Sequence, residues 1–221
     1  MLIVDMKIKV SKDGPYIVSG NVPLDKEKIV EDKDKCSEKW EKIKDYPKHE
    51  CYSLCRCGHS KNPPYCDGAH LEIGFKGDEK KQKSFKELAK EIKGDEITLY
   101  DARELCSCAA FCERKGRIWN LINDKKNREI VEREAFDCPS GRLVIHDKQG
   151  EIEPKLNKEI SVTEHPGKGC SGPLWVKGKI PIESADGKEY ELRNRVTLCR
   201  CGASKNKPFC DCSHVEIRFK E

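Results

Sequence analysis

The chain has 221 residues, of which 37% are charged, 36% are hydrophobic and 7% are aromatic, and its formal net charge is +4. This mixed charge gives no electrostatic reason to expect nucleic-acid binding. No stretch approaches the ~18 apolar residues of a membrane span, and the opening apolar run is too short for the core of a signal peptide. We therefore expect a cytoplasmic protein that binds neither nucleic acid nor a membrane.

Cysteine is the residue type that departs from an ordinary composition. The chain holds 14 cysteines, about 6% of its residues, which is below the roughly 8–10% of a disulfide scaffold. Thiols stay reduced in most cytoplasms, so clustered cysteines there predict metal ligands or catalytic groups before disulfides. The cysteine spacing is therefore the main guide to function.

An internal repeat organises the chain. Each copy begins with a strand-like segment, GPYIVSGNVPL at 14–24 and GPLWVKGKIPI at 172–182. Each copy ends with a loop of the form C-x-C-x8-C-x3-H, which reads CRCGHSKNPPYCDGAH at 55–70 and CRCGASKNKPFCDCSH at 199–214. In the first copy a charged insert, DKEKIVEDKDKCSEKWEKIKDY, lengthens the connection between these two parts.

The cysteines and histidines of the two loops are candidate metal ligands, since thiolate and neutral imidazole bind zinc and iron. They are Cys55, Cys57, Cys66 and His70, and Cys199, Cys201, Cys210 and His214. Zinc sites usually separate paired ligands by two to four residues, whereas one residue separates the first two cysteines here. A [2Fe–2S] cluster spreads its four ligands over two irons, so the spacing favours a cluster, with a pair of Cys3His zinc sites as the alternative.

This loop pattern resembles the CDGSH motif of the NEET iron–sulfur proteins. The first copy, CDGAH, fits the motif closely, and the second, CDCSH, places Cys212 where the motif has glycine. The resemblance implies a [2Fe–2S] cluster in each copy, with the C-x-C pair on one iron and the third cysteine and the histidine on the other. It also implies a shared β-cap built by two copies about a two-fold axis. We therefore expect a β-rich α+β fold in which one chain forms an intramolecular pseudo-dimer and stays monomeric.

Between the two copies the sequence predicts a helix and then a separate segment. In 79–93, apolar residues at helical spacing predict an amphipathic linker helix; they are Phe85, Leu88, Ala89 and Ile92. In 95–150, the patterns predict a strand at ITLY, a helical DARELCSCAAFCERK, and a second helix around NREIVEREAF. The run CPSGRLVIHDKQG then predicts a turn, a strand and a turn.

The middle segment carries a second set of candidate ligands: Cys106, Cys108, Cys112 and Cys138. Buried structural cysteines and a four-cysteine zinc site are both compatible with these residues alone. The C-x-C-x3-C run followed later by C-P-S-G resembles the divergent single-cluster ferredoxin-like domain over roughly residues 97–147. The resemblance implies a small inserted ferredoxin-like domain in which these four cysteines hold a [4Fe–4S] or [3Fe–4S] centre.

The other cysteines and histidines are expected to have ordinary structural roles. We expect packed or exposed thiols, with a Cys36–Cys51 disulfide as an alternative, at Cys36, Cys51, Cys170 and Cys212. We expect surface positions or ordinary hydrogen bonds for His49, His59, His146 and His165.

No catalytic constellation is evident, since the sequence reveals neither a nucleophile with a nearby base nor a glycine-rich phosphate loop. We therefore predict a non-enzymatic iron–sulfur protein acting in electron transfer, cluster transfer or redox sensing, with a redox protein or an apo-acceptor protein as its partner. A structural zinc protein and an electron-wiring subunit of a redox enzyme are the alternatives. The expected domains are a first CDGSH-type domain at 1–78, a linker helix at 79–94, the ferredoxin-like domain at 95–150, and a second CDGSH-type domain at 151–221.

Overall fold

The computed structural model describes residues 5–81 and 83–221, which form thirteen strands in three sheets and five short α-helices. The strands are β1 Lys7–Val10, β2 Tyr16–Ser19, β3 Leu24–Glu31, β4 Ser37–Asp45, β5 Cys51–Leu54, β6 Lys90–Lys93, β7 Thr98–Asp101, β8 Leu143–Asp147, β9 Gly150–Ile152, β10 Glu159–His165, β11 Cys170–Lys177, β12 Ile182–Glu183 and β13 Arg195–Leu198. The helices are α1 Ala69–Glu72, α2 Phe85–Leu88, α3 Ile118–Leu121, α4 Arg128–Phe136 and α5 Ser213–Glu216. None of the described helices is long and apolar enough to cross a membrane. The expected β-rich α+β class is confirmed.

Two of the sheets exchange strands between the repeats. Their strand orders are β12-β1-β2-β5 and β13-β11-β10-β3-β4. Strand β12 of the second repeat lies parallel to β1, and strand β3 of the first repeat lies parallel to β10. Each repeat therefore completes its sheet with a strand of the other repeat.

One apolar core joins the two repeats. The fully buried Ile8 and Leu54 of the first repeat belong to the same cluster as Ile160 and Leu198 of the second. In β1 the buried residues alternate with lysines, which is the period-two pattern of a strand with one face on the core. In β11 every residue is buried, because both faces of that strand are covered.

The charged insert of the first repeat folds as the antiparallel β3-β4 hairpin. Most of β4 is exposed, but the indole of Trp40 packs with ring centroids 5.2 Å from Phe111 and 5.1 Å from Trp175. The indole N–H also donates to the carbonyl of Asp137 at 3.0 Å. This hairpin therefore connects the first repeat to both the middle segment and the second repeat.

The continuous linker helix predicted for 79–93 is wrong. The described part of this range is helical only at Phe85–Leu88, where Ser84 and Glu87 form a capping box. Ala89 then adopts an extended conformation (φ −79°, ψ 131°), and the chain continues as β6, paired with β7. Pairing with β7 also brings Ile92 onto the core of the middle segment, and such tertiary contacts override a short helical periodicity.

The middle segment forms a sheet of order β6-β7-β8-β9, packed against α3 and α4. The strand predicted at ITLY, the helix around NREIVEREAF and the strand after CPSG are confirmed as β7, α4 and β8. The helix predicted for DARELCSCAAFCERK is wrong, because only short 3-10 turns form there. Between those turns Cys108 and Ala110 have φ angles of 58° and 64°, in the left-handed region that an α-helix cannot contain.

A buried carboxyl in α4 gives the middle segment a predicted pH dependence. Glu134 is 0% exposed, and neither of its carboxyl oxygens has a hydrogen-bond partner among the described residues. Burial raises the pKa of Glu134 to about 7. Because this pKa is raised, the folded state favours the protonated carboxyl of Glu134. The stability that the protonated carboxyl contributes is complete below about pH 4.5 and is lost as the pH rises through about 7.

We therefore expect Glu134→Gln to raise the free energy of unfolding at pH 8 by roughly 3 kcal/mol and to change it little at pH 4.5. Thermal or urea unfolding at the two pH values measures this difference. The matched control is Glu129→Gln on the exposed face of α4, which should leave stability unchanged at both pH values. An equal effect of Glu134→Gln at both pH values would contradict the assignment.

Candidate metal centres

The loop between β5 and α1 brings its four predicted ligands together as two pairs. The sulfurs of Cys55 and Cys57 are 3.7 Å apart, and Sγ of Cys66 lies 3.4 Å from Nδ1 of His70. Cys66 and His70 are four residues apart; His70 lies in α1, and Cys66 lies in the loop that precedes its N-cap, Gly68. The loop therefore presents two ligand pairs.

The corresponding loop of the second repeat has the same geometry. The sulfurs of Cys199 and Cys201 are 3.6 Å apart, and Sγ of Cys210 lies 3.4 Å from Nδ1 of His214. These four side chains are all buried. Two loops with different surroundings thus adopt one arrangement, which indicates that the loop sequence itself dictates the pairing.

Repeated hydrogen bonds hold both loops in shape. The carboxylates of Asp67 and Asp211 each accept the backbone N–H of the residue six positions earlier, both at 2.7 Å. The hydroxyls of Ser60 and Ser204 each donate to the carbonyl five positions later, at 2.6 and 2.7 Å. The backbone N–H groups that donate hydrogen bonds to Asp67 lower the pKa of its carboxyl. These bonds fix the loop without using any of the four ligand side chains.

The spacing of the pairs fits a binuclear cluster better than a single zinc ion. With Zn–S bonds of ~2.3 Å, the ligand atoms of a tetrahedral site lie about 3.8 Å apart, and all four do so mutually. In the part of the chain that the structure describes, neither loop places even three of its ligand atoms within 4.8 Å of one another. Two close pairs that stand apart match four ligands divided between two irons.

The two loops contact each other through the glycine that follows each C-x-C pair. Gly58 and Gly202 have φ angles of 80° and 76°, which L-residues with a side chain rarely adopt. A Cβ at Gly58 would lie 2.7 Å from the carbonyl oxygen of Cys201, and a Cβ at Gly202 would overlap the carbonyl oxygen of Cys57. The contact is reciprocal, so it brings the C-x-C pairs of the two repeats side by side.

The arginine inside each C-x-C pair is a residue whose role sequence reasoning missed. Arg56 and Arg200 are 1% and 2% exposed. Arg56 donates to the carbonyl of Ser11 at 2.9 Å, and Arg200 donates to the carbonyl of Thr163 at 2.8 Å. Each side chain thus ties its loop to a backbone segment outside the loop, and a positive charge is buried within each C-x-C sequence. The repetition of CRCG in the two loops is the sequence signal that could have revealed this role of the arginines.

In the middle segment, Cys108 forms a disulfide with Cys212 of the second repeat, with their Cα atoms 5.5 Å apart. The sulfur of Cys106 lies within 4.8 Å of both. The structure therefore differs from two expectations: Cys108 is not a free thiolate here, and Cys212 is not an isolated thiol. The backbone is left-handed at both residues, with φ angles of 58° at Cys108 and 75° at Cys212.

The other two cysteines predicted for this centre, Cys112 and Cys138, are both partly buried against the core of the middle segment. Burial, followed by the neighbouring Cys138 and Cys106 thiols, raises the pKa of the Cys112 thiol to about 12. Arg142 adjoins these sulfurs and is held by Asp101 through two hydrogen bonds of 2.6 and 2.8 Å. Thiols with a fixed guanidinium beside them are suited to hold an anionic cluster.

Comparison with protein families gives this arrangement a name. The family described as iron-binding zinc finger, CDGSH type, matches residues 13–71 and again residues 171–215. The family described as divergent 4Fe-4S mono-cluster matches residues 92–148, between the two CDGSH matches. The chain is a tandem CDGSH protein with a central mono-cluster domain. It is therefore an iron–sulfur cluster-binding protein.

Among curated proteins, the tandem CDGSH chain is similar to a putative cadmium/zinc-transporting ATPase of Arabidopsis thaliana, with 31% identity over 114 residues. The similarity covers 47% of this chain but only 10% of the ATPase. The chain thus spans about a tenth of the length of that relative, so the similarity does not extend to the ATPase as a whole. No solved structure matches the chain.

The two CDGSH sites differ in their exposure. Cys66 and His70 of the first site are partly exposed, and Leu71 beside them is 77% exposed. His214 of the second site is 3% exposed, and burial lowers its pKa to about 4. It lines a small cavity with Ser107 and Pro139 of the central domain. The central domain therefore covers the second site and leaves the first accessible.

Two smaller expectations are corrected by the structure. His165 was expected at the surface or in an ordinary hydrogen bond, but it is 3% exposed and lines the same cavity as His214. The disulfide considered for Cys36 and Cys51 is absent, since both are free thiols. Cys170 is a buried free thiol, as expected for a packed cysteine.

Proposed function

We propose that this tandem CDGSH protein carries electrons between a redox protein and three iron–sulfur centres within one chain. The reciprocal contact of Gly58 with Cys201 and of Gly202 with Cys57 is the observation that carries the proposal. It puts the backbone of one ligand residue of each loop, Cys57 and Cys201, in contact with the other loop, and electron exchange needs proximity between the two sites. Each CDGSH loop would hold a [2Fe–2S] cluster, which supplies a one-electron redox couple when bound.

The central domain would add a third redox group beside the second CDGSH site. Ser107 of the central domain lies between two of its predicted ligands and lines a cavity together with His214. Burial, then the neighbouring Cys199 thiol and Asp211 carboxylate, and last the Cys106 thiol of the central domain raise the pKa of Cys210. The sulfur of Cys212, two residues after Cys210, lies 3.2 Å from the carbonyl oxygen of Cys106. The three sets of ligands thus follow one another through the protein, which favours a relay over three independent sites.

We further propose that the two repeats form an intramolecular pseudo-dimer with a shared β-cap. The exchange of β3 and β12 supports this proposal, because the two exchanges are equivalent under interchange of the repeats. The reciprocal glycine contacts have the same symmetry. A two-fold interface that is satisfied within one chain favours a monomer.

The accessible first site is the place where a protein partner would contact the relay. The exposed Leu71 adjoins His70 and offers an apolar contact at the site. The same exposure supports a second candidate function, delivery of the first cluster to an apo-acceptor protein, because cluster transfer requires that an acceptor thiol can reach the ligands. The buried second site would not take part in that transfer.

The first test is the iron, acid-labile sulfide and zinc content of protein purified without oxygen, together with its visible and EPR spectra. We expect about eight irons and eight sulfides per chain, and EPR signals broadened by magnetic interaction between neighbouring reduced centres. Cys57→Ser should remove the signal of the first site. Cys51→Ser, at an exposed free cysteine, is the control that should leave the content unchanged.

Other results would separate the competing functions. About four irons with four sulfides would remove the central centre from the relay, and about three zinc ions without sulfide would replace the relay with a structural zinc protein. Well-resolved EPR signals without interaction would argue against electron exchange between the CDGSH sites. Transfer of one cluster, measured as two irons per chain, to a cluster-free ferredoxin would favour cluster delivery.

A further inference from the structure

The second CDGSH loop has a cysteine where the first has glycine, and the backbone there is left-handed in both. Gly68 has a φ of 94° and Cys212 a φ of 75°. A side chain with a Cβ in this region costs about 1–2 kcal/mol. A Cβ at Gly68 would have no atom within 4 Å, so in the first loop a Cβ at this position would gain no packing contact to offset that cost. The thiol of Cys212 is therefore present despite the backbone, and its contacts indicate its role.

Those contacts all lie in the central domain. Cys212 is bonded to Cys108, lies within 4.8 Å of the sulfur of Cys106, and its sulfur is 3.2 Å from the carbonyl oxygen of Cys106. Lys168 of the second repeat also donates to the carbonyl of Cys108 at 2.6 Å and so fixes the segment in this position. The three cysteines thus form one sulfur group built from two domains.

The group includes two of the predicted ligands of the central centre, Cys106 and Cys108, together with Cys212, all with sulfurs within 4.8 Å of one another. The Cys106 and Cys138 thiols also contribute, after burial, to the raised pKa of Cys112. Because Cys108 and Cys212 are bonded, their sulfurs occupy neighbouring positions relative to Cys106. A thiolate released from either Cys108 or Cys212 would therefore be available at the same ligand position.

We propose that Cys212 is a ligand residue of the central iron–sulfur centre, sharing one ligand position with Cys108, and that the Cys108–Cys212 disulfide is the oxidised, non-coordinating form of that position. This inference rests on the proposed function, since it assumes that the central domain holds a cluster. It makes the central centre a site between two domains and links its assembly to the thiol redox state.

The redox step balances with an external dithiol as the reductant. The S–S bond between Cys108 and Cys212 breaks, the two electrons come from the dithiol, and the dithiol becomes a disulfide. Two protons pass from the dithiol to the two released cysteines. Coordination of iron by either cysteine then releases its proton, because the thiolate is the ligand form.

The disulfide can be tested independently of iron. Metal-free, air-oxidised protein is digested without reductant, and the peptides are identified by mass spectrometry. We expect a cross-linked peptide pair containing Cys108 and Cys212, which separates after dithiothreitol treatment. Pairing of Cys108 with any other cysteine, or free thiols at both positions, would overturn the redox part of the inference.

The ligand role is tested by comparing Cys108→Ser with Cys108→Ser/Cys212→Ser after anaerobic reconstitution with iron and sulfide in the presence of dithiothreitol. We expect the single variant to keep the iron and the EPR signal of the central centre, because Cys212 provides the thiolate, and the double variant to lose that signal. The CDGSH signals should persist in both. Cys108→Ser/Cys51→Ser is the matched control and should behave like the single variant.

Two results would overturn the inference. If Cys108→Ser alone loses the central signal, Cys212 does not supply a ligand; if the double variant retains it, neither residue is needed. Failure of the proposed function would be visible earlier and differently, since the wild-type protein would then lack the central signal under the same conditions.

Discussion

His70→Cys is expected to remove the first step of acid-induced loss of the visible absorbance, whereas His214→Cys is expected to leave that step unchanged. His70 is partly exposed, so protons reach this ligand directly, while His214 is 3% exposed beneath the central domain. In wild-type protein the absorbance should therefore fall in two steps as the pH is lowered, the first step belonging to the first CDGSH site. Visible spectra recorded over time at pH 5 to 7 measure this difference.

Redox titration of the same variants provides the companion measurement. Replacing imidazole by thiolate makes a cluster more negative, so each substitution should lower the potential of its own centre by on the order of 100 mV or more. Since both variants should lower a potential, only the acid sensitivity separates them. Equal protection against acid by His70→Cys and His214→Cys would contradict the difference in exposure between the sites.

Arg195→Met is expected to lower the free energy of unfolding by about 3–5 kcal/mol and to remove the central centre. Arg195 is 1% exposed and donates from β13 to the carbonyls of Ala135, Cys138 and Leu143 in the central domain. Its guanidinium also pairs with Glu153, through a bond of 2.9 Å from Nε. Loss of the guanidinium leaves these acceptors unpaired and releases the backbone at Cys138.

Urea unfolding and iron content together test this expectation. The matched control is Arg103→Met, because Arg103 is exposed and forms no ion pair among the described residues. We expect the control to resemble the wild-type protein and Arg195→Met to keep the iron of the two CDGSH sites. Retention of the full iron content by Arg195→Met would show that Cys138 does not depend on this contact.

The local part of each CDGSH site could be predicted from the sequence because its ligands lie within sixteen residues of one another. Cys66 and His70 are only four residues apart, and the hydrogen bonds of Asp67 between them are made within the loop. Such local contacts depend little on the rest of the fold. The same reasoning explains why the second loop repeats the first.

Contacts between distant segments could not be predicted in the same way. The Cys108–Cys212 disulfide spans 104 residues and depends on how the central domain packs against the second repeat. The only sequence signal was the cysteine of CDCSH at a position where CDGAH has glycine. Likewise, β6 formed because β7 was available as a pairing partner, which the periodicity around Ile92 could not reveal.

The strand exchange between the repeats has a consequence for the timing of biosynthesis. Strand β1 pairs with β12, which lies more than 170 residues later in the chain. At a synthesis rate of roughly 5–20 residues per second, β1 waits on the order of ten to thirty seconds for its partner to leave the ribosome. The amino-terminal sheet therefore closes only after β12 has been synthesised, and a ribosome-bound chain halted before residue 182 would hold the first loop without its complete scaffold.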